Sequence, residues 1–112
     1  MELDICGDDI RKQMLHIKKN LQRGRKSVLY IEIYDDSVLL VYRDIELPVK
    51  IMNVTGKQHN LKEKYAISDY SLLQKAVMRF KDCEFYKFIF YPNCISIVVD
   101  KLQLNIAAKI CD

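Results

Sequence analysis

The sequence predicts a single α+β domain in which one unit, a strand, a helix and three further strands, occurs twice. Three observations carry this expectation. One segment has clear helical periodicity, the runs after it are β-branched and alternating, and the same order of patterns returns in the second half. Half of the 112 residues are hydrophobic and 29% are charged, the balance of a packed globule. That length is enough to bury a core without disulfide or metal staples.

Glu2-Leu3-Asp4-Ile5-Cys6 alternates polar and apolar and reads as a short strand. Gly7-Asp8-Asp9 then supplies helix-start chemistry. Residues 10–23 form the clearest helix, with Ile10, Met14, Ile17 and Leu21 on one stripe and Gly24 as its end. Strands are expected at 27–34 and 38–42, joined by the turn Asp35-Asp36-Ser37. A third run, 45–54, alternates Ile45, Leu47, Val49 and Ile51. Pro48 within it cannot donate to a ladder, so the run belongs at an edge or a bulge.

Residues 55–60 are polar and contain Gly56, and 55–61 reads as a connector. The pattern then restarts. A strand is expected at 64–67, and Ser68-Asp69 cap a helix running to about residue 82. Its apolar face is Leu72, Leu73, Ala76, Val77 and Phe80. Strands follow at 84–91, 95–99 and 102–110, with Pro92-Asn93 as a tight turn. A shift of 57 places Tyr34 on Tyr91, Val38 on Ile95, Leu40 on Ile97, Ile45 on Leu102, Leu47 on Leu104 and Val49 on Ile106. The helices need a shift of 63, and the basic segment 22–26 can absorb the difference. Repeat one covers about 2–54 and repeat two about 62–110, within one domain of residues 1–112.

Two β-α-β-β-β units in tandem resemble one domain of the DNA sliding clamps, the family of proliferating cell nuclear antigen, the checkpoint clamp subunits and the bacterial polymerase clamp. The resemblance spans about residues 2–110. Its most suggestive stretch is 84–99, which ends in Asn93-Cys94-Ile95-Ser96-Ile97-Val98, with Cys94 where clamp domains commonly have glycine. The resemblance implies two helices facing double-stranded DNA and sheets outside. It also implies main-chain joining of subunits through the last strand of one unit and the third strand of the next. Partners would then be DNA without sequence preference, other clamp-like subunits or the chain itself, and replication or repair proteins.

Lys12, His16, Lys19 and Arg23 recur opposite the apolar stripe of the first helix, and Arg25 and Lys26 follow it. Such a stripe is either an ordinary solvated face or a phosphate-contacting one. The resemblance favours the latter, because that face turns toward DNA in clamps. The second helix shows a mixed outer surface, with Met78 expected to be exposed. Leu102, Leu104 and Ile106 mark a competent strand edge, and Leu47 and Val49 mark its first-half counterpart, blunted by Pro48. One good and one poor edge suit a hetero-assembly better than a symmetric ring. The strand aromatics, among them Tyr30, Tyr42, Phe85, Tyr86, Phe88 and Tyr91, are better explained as core than as base-stacking platforms.

No G-x-S-x-G, H-E-x-x-H or glycine-rich phosphate loop is present, and no enzyme is expected. Cys6, Cys83, Cys94 and Cys111 are scattered, with only His16 and His59 beside them, so neither a metal nor another cofactor is expected. They read as reduced, mostly buried thiols. Neither a secretory signal nor a membrane-length apolar run is seen, so the expected location is intracellular: nucleus, cytoplasm or, for a viral protein, its factory. The net charge of +3 excludes little; its placement on the first helix is what matters. Two rivals remain: a protein-only module of the same fold, and an unrelated α+β factor whose repeat is accidental.

Overall fold

A computed structural model describes residues 1–19, 28–55 and 63–111. In chain order the elements are β1 (Glu2–Cys6), α1 (Gly7–Lys19), β2 (Leu29–Ile33), β3 (Ser37–Tyr42) and β4 (Ile45–Thr55). They continue with β5 (Glu63–Ile67), α2 (Ser71–Arg79), β6 (Phe85–Phe90), β7 (Cys94–Val99), β8 (Leu102–Ala107) and β9 (Lys109–Cys111). The result is a small α+β domain: two helices and an antiparallel sheet of nine strands among the described residues.

The strand order is β8-β7-β6-β1-β4-β3-β2-β5-β9. β4 is long enough to serve two neighbours. Its first half, from Ile45 to Lys50, pairs with β3, and from Ile51 it pairs with β1, with a register shift between Asp4 and Ile5. The first and last strands of the order, β8 and β9, are consecutive in the chain and separated by Ala108 alone. The first strand of each β-α-β-β-β run lies beside a strand of the other run. β1 pairs with β6, Leu3 opposite Phe88, and β5 pairs with β2, Tyr65 opposite Ile31.

The two hairpins formed by the last strands of each run have identical registers. Ser37 faces Lys50 and Tyr42 faces Ile45; 57 positions later Cys94 faces Ala107 and Val99 faces Leu102. The preceding turns match as well. The Tyr34 N–H donates to the Ser37 carbonyl at 2.9 Å, and the Tyr91 N–H to that of Cys94 at 2.9 Å. A two-residue turn, Arg43-Asp44, joins β3 to β4 with both residues at positive φ, 50° and 62°. That geometry suits the twist of a hairpin and is reached here without glycine.

One continuous core joins both helices to all parts of the sheet. Ile10, Met14 and Ile17 of α1 and Leu73 and Val77 of α2 are fully buried with Leu3, Ile31, Leu40, Tyr86, Phe88 and Ile97. Tyr42 and Tyr70 meet edge to face at 5.7 Å, and Tyr65 packs on Phe90 at 5.0 Å. Tyr42, Tyr86, Phe88 and Phe90 are therefore core, whereas Phe85 and Tyr91 are exposed.

Several boundaries differ from the sequence reading. α1 begins at Gly7, three residues early, so Asp8 and Asp9 form its first turn instead of its cap. Its expected end at Gly24 and the connector after Thr55 lie outside the described residues. α2 begins at Ser71 with Tyr70 as N-cap and ends at Arg79. The Asp69 carboxylate accepts from the Ser71 N–H at 3.1 Å and hydroxyl at 2.6 Å, a local turn that precedes the helix instead of capping it. Leu72, expected on the apolar face, is 41% exposed. At 100° per residue it lies about 90° from the centre of the arc made by Leu73, Ala76, Val77 and Phe80. Met78, whose place on the outer surface pointed to partner contact or partial burial, is partly buried against the core. The last strand is interrupted at Ala108, where the chain passes from pairing with β7 to pairing with β5.

Gly7 is required by close approach. Its N–H donates to the Glu84 carbonyl at 2.7 Å, and a Cβ there would lie 2.2 Å from the Cys83 carbonyl oxygen. Gly7→Ala is expected to lower unfolding free energy by about 1–3 kcal/mol, read as a reduced denaturant midpoint with unchanged slope.

Candidate nucleic-acid interface

The amphipathic pattern of α1 decides which of its side chains face out. With Ile10, Met14 and Ile17 fixed in the core, Lys12, Leu15, His16, Lys18 and Lys19 are exposed on the outer surface. Asp8 and Asp9 lie at the helix start and His16, Lys18 and Lys19 in its last turn, the polarity the helix dipole favours. Of the six residues expected to meet phosphate, Lys12, His16 and Lys19 share this surface. Arg23, Arg25 and Lys26 lie outside the described residues.

Arg11 behaves differently from its neighbours. Its guanidinium turns inward, with the side chain 16% exposed. It donates to the Cys83 carbonyl at 2.8 Å, the Tyr86 hydroxyl at 2.8 Å and the Asp8 carboxylate at 2.6 Å. Burial pulls its pKa down, but the hydrogen bonds to Tyr86 and Asp8 outweigh that and the net shift is upward. The Tyr86 hydroxyl in turn lies within donating distance of the Val77 and Phe80 carbonyls at the end of α2. Burial raises the Tyr86 pKa, and Arg11 opposes the rise. Arg11 is thus a bracket between α1, β6 and the end of α2, and its charge is committed to the fold.

Tertiary packing adds cations that the α1 pattern did not include. α2 lies against α1, and a groove of about 200 Å³ between them is lined by Lys18, Ser71, Gln74, Lys75 and Met78. Lys75 and Arg79 are exposed on α2. The helical layer therefore presents Lys12, Lys18, Lys19, Lys75 and Arg79. Apolar side chains interrupt it: Leu15 is 44% exposed and Leu72 is also exposed. The signal for Lys75 and Arg79 was present as helical spacing, but the proximity of Lys75 to Lys18 is a property of the fold.

The expected subunit edges divide. Leu47, Val49 and Ile106 have buried side chains, while Leu104 is half-buried and Leu102 exposed. What β4 and the middle of β8 offer at an edge is main chain, not those side chains. Among the described residues, no group of three or more His, Cys, Asp or Glu side chains is placed to hold a metal ion. Cys6, Cys83, Cys94 and Cys111 are free and half-buried. No helix among the described residues is long and apolar enough to cross a membrane.

A scan against protein-family models, a search of curated proteins and a search of solved structures each found no match.

The two kinds of α1 cation separate experimentally. Arg11→Met removes donors from buried acceptors and should cost about 1–3 kcal/mol of stability. Lys12→Ala and Lys19→Ala should each change it by no more than about 0.5 kcal/mol. Chemical denaturation of the three variants measures both.

Proposed function

We propose that this chain is a non-enzymatic, clamp-like DNA-associated scaffold, a processivity or repair factor that lies against double-stranded DNA and recruits partners. The observation that carries the reading is the helical layer. Three fully buried apolar residues of α1 fix Lys12, His16 and Lys19 outward, and α2 adds Lys75, which shares a groove with Lys18, and an exposed Arg79. A set of exposed cations on helices suits phosphate contact independent of base sequence. The clamp plan is supported by the β-α-β-β-β order occurring twice, by identical hairpin registers at a shift of 57, and by the exchange of first strands between the two runs. In that plan Arg23, Arg25 and Lys26 contact phosphate together with Lys12, His16 and Lys19. Its partners are DNA, further clamp-like subunits or copies of itself, and replication or repair proteins in the nucleus or cytoplasm.

A second reading is a protein-only interaction module. Leu15 and Leu72 favour it, since exposed apolar side chains amid lysines suit an acidic amphipathic protein segment better than phosphate.

The readings part on salt dependence. DNA retention should fall linearly on a log–log plot against salt, and Lys12→Ala with Lys19→Ala should reduce the slope by about 2. Fluorescence anisotropy with a random-sequence duplex reads this directly. Unchanged retention in the double variant would remove the DNA reading, and a wild type that does not retain the duplex at low salt would favour the protein-only one.

A further inference from the structure

The cleft between α1 and α2 differs in character from the lysines around it. Its volume is about 200 Å³, and Lys18, Ser71, Gln74, Lys75 and Met78 line it. Met78 lies half-buried against the core, so its thioether forms an apolar wall. Lys18 and Lys75 are exposed, and their stems add methylenes below the ammonium groups. Leu15, 44% exposed, stands one turn before Lys18, about 60° away around α1. It extends the apolar contact along that helix.

Phosphate contact uses the ammonium groups and leaves the apolar wall unused, because a thioether donates nothing to a phosphate oxygen. The Ser71 hydroxyl is already committed to Asp69 at 2.6 Å. Gln74 adds a second mismatch: its Nε2 is buried and has no hydrogen-bond partner among the described residues. An unmade buried donor is costly, and rotation of that side chain into the cleft would offer its N–H to a peptide carbonyl. Charge selects the sign of the occupant. From Ile10 to Lys19 and from Ser71 to Arg79 there is no Asp or Glu, whereas Lys12, Lys18, Lys19, Lys75 and Arg79 are all exposed. The carboxylates that precede these stretches, Asp8, Asp9 and Asp69, accept hydrogen bonds from Arg11, Lys50 and Ser71.

We propose that this cleft is the docking site of an acidic protein segment, which seats one apolar side chain between the helices and pairs its carboxylates with Lys18 and Lys75. The space suits a single leucine or phenylalanine side chain. Exposed ion pairs alone hold a peptide weakly, so the apolar anchor supplies the affinity that salt does not screen. The site names a class of partner for the scaffold and the place where it is recruited. It also makes recruitment and DNA contact exclusive, since the segment neutralises lysines of the same helical layer. That exclusion rests on the DNA reading, whereas the docking site does not.

A fluorescein-labelled oligoglutamate peptide with one central phenylalanine tests this against the same peptide with alanine there. Anisotropy at low salt should show the full chain binding the phenylalanine peptide about 10-fold more tightly. Met78→Gln keeps the size of the side chain and makes the wall polar. It should erase that preference and leave retention of the random-sequence duplex unchanged. Lys18→Ala with Lys75→Ala should weaken both peptides alike and reduce the salt dependence of their binding. Unlabelled phenylalanine peptide should release a labelled duplex at lower concentration than the alanine peptide. Circular dichroism confirms that each variant is folded. Equal affinity for the two peptides, or a preference that survives Met78→Gln, would overturn the docking site. A peptide bound while the duplex stays in place would overturn the exclusion. A chain that prefers the phenylalanine peptide yet retains no duplex would uphold the docking site and remove the DNA reading alone.

Discussion

The exchange of first strands between the two β-α-β-β-β runs constrains everything else in this fold. β1 lies between β6 and β4, and β5 lies between β2 and β9. Neither run can complete its own sheet, because each lends its first strand to the other. Glu2 opposite Ile89 and Ile33 opposite Glu63 are pairings that form only when the whole chain is assembled. The chain is therefore one cooperative domain despite its internal order. Such non-local pairing carries a large loop-closure cost before it is rewarded.

Around that exchange the helices act as locks. Gly7 lets the start of α1 approach the Cys83–Glu84 backbone, and Arg11 then bridges to Cys83, Asp8 and Tyr86. Tyr86 reaches the end of α2, so a hydrogen-bonded chain runs from one helix through β6 to the other. Asp9 and Gln13 add a second attachment, to β4. With its inner and N-terminal surfaces committed in this way, α1 has little rotational freedom. The side of the helix that carries Lys12, His16 and Lys19 is thereby fixed outward.

The same hydrogen bonds make the two halves unequal. The hairpin registers and the turns before them coincide at a shift of 57, yet Asp9 and Gln13 hydrogen-bond Lys50 and Pro48, whereas Leu72 of α2 only lines a groove with Asn105 and Ala107. Polar side chains of α1 bond one of these strands, and α2 leaves a groove beside the other. A repeated architecture thus carries two unlike surfaces.

Local patterning in the sequence determined the elements and their order. The i, i+4, i+7 spacing of Ile10, Met14 and Ile17 and the alternation in β3, β4 and β7 follow from backbone periods of 3.6 and 2, which need no tertiary information. The outward placement of Lys12, His16 and Lys19 was legible for the same reason. Tertiary structure alone decided the rest. Arg11 and Lys12 are adjacent basic residues on one helix, yet one braces the core and the other is exposed, because only the fold brings Tyr86 and Cys83 to Arg11. Lys75 joined the basic layer because α2 packs on α1, and the last strand broke at Ala108 because its two ends serve different partners. Periodicity reports which side of an element is buried, but it carries no information about what that side meets.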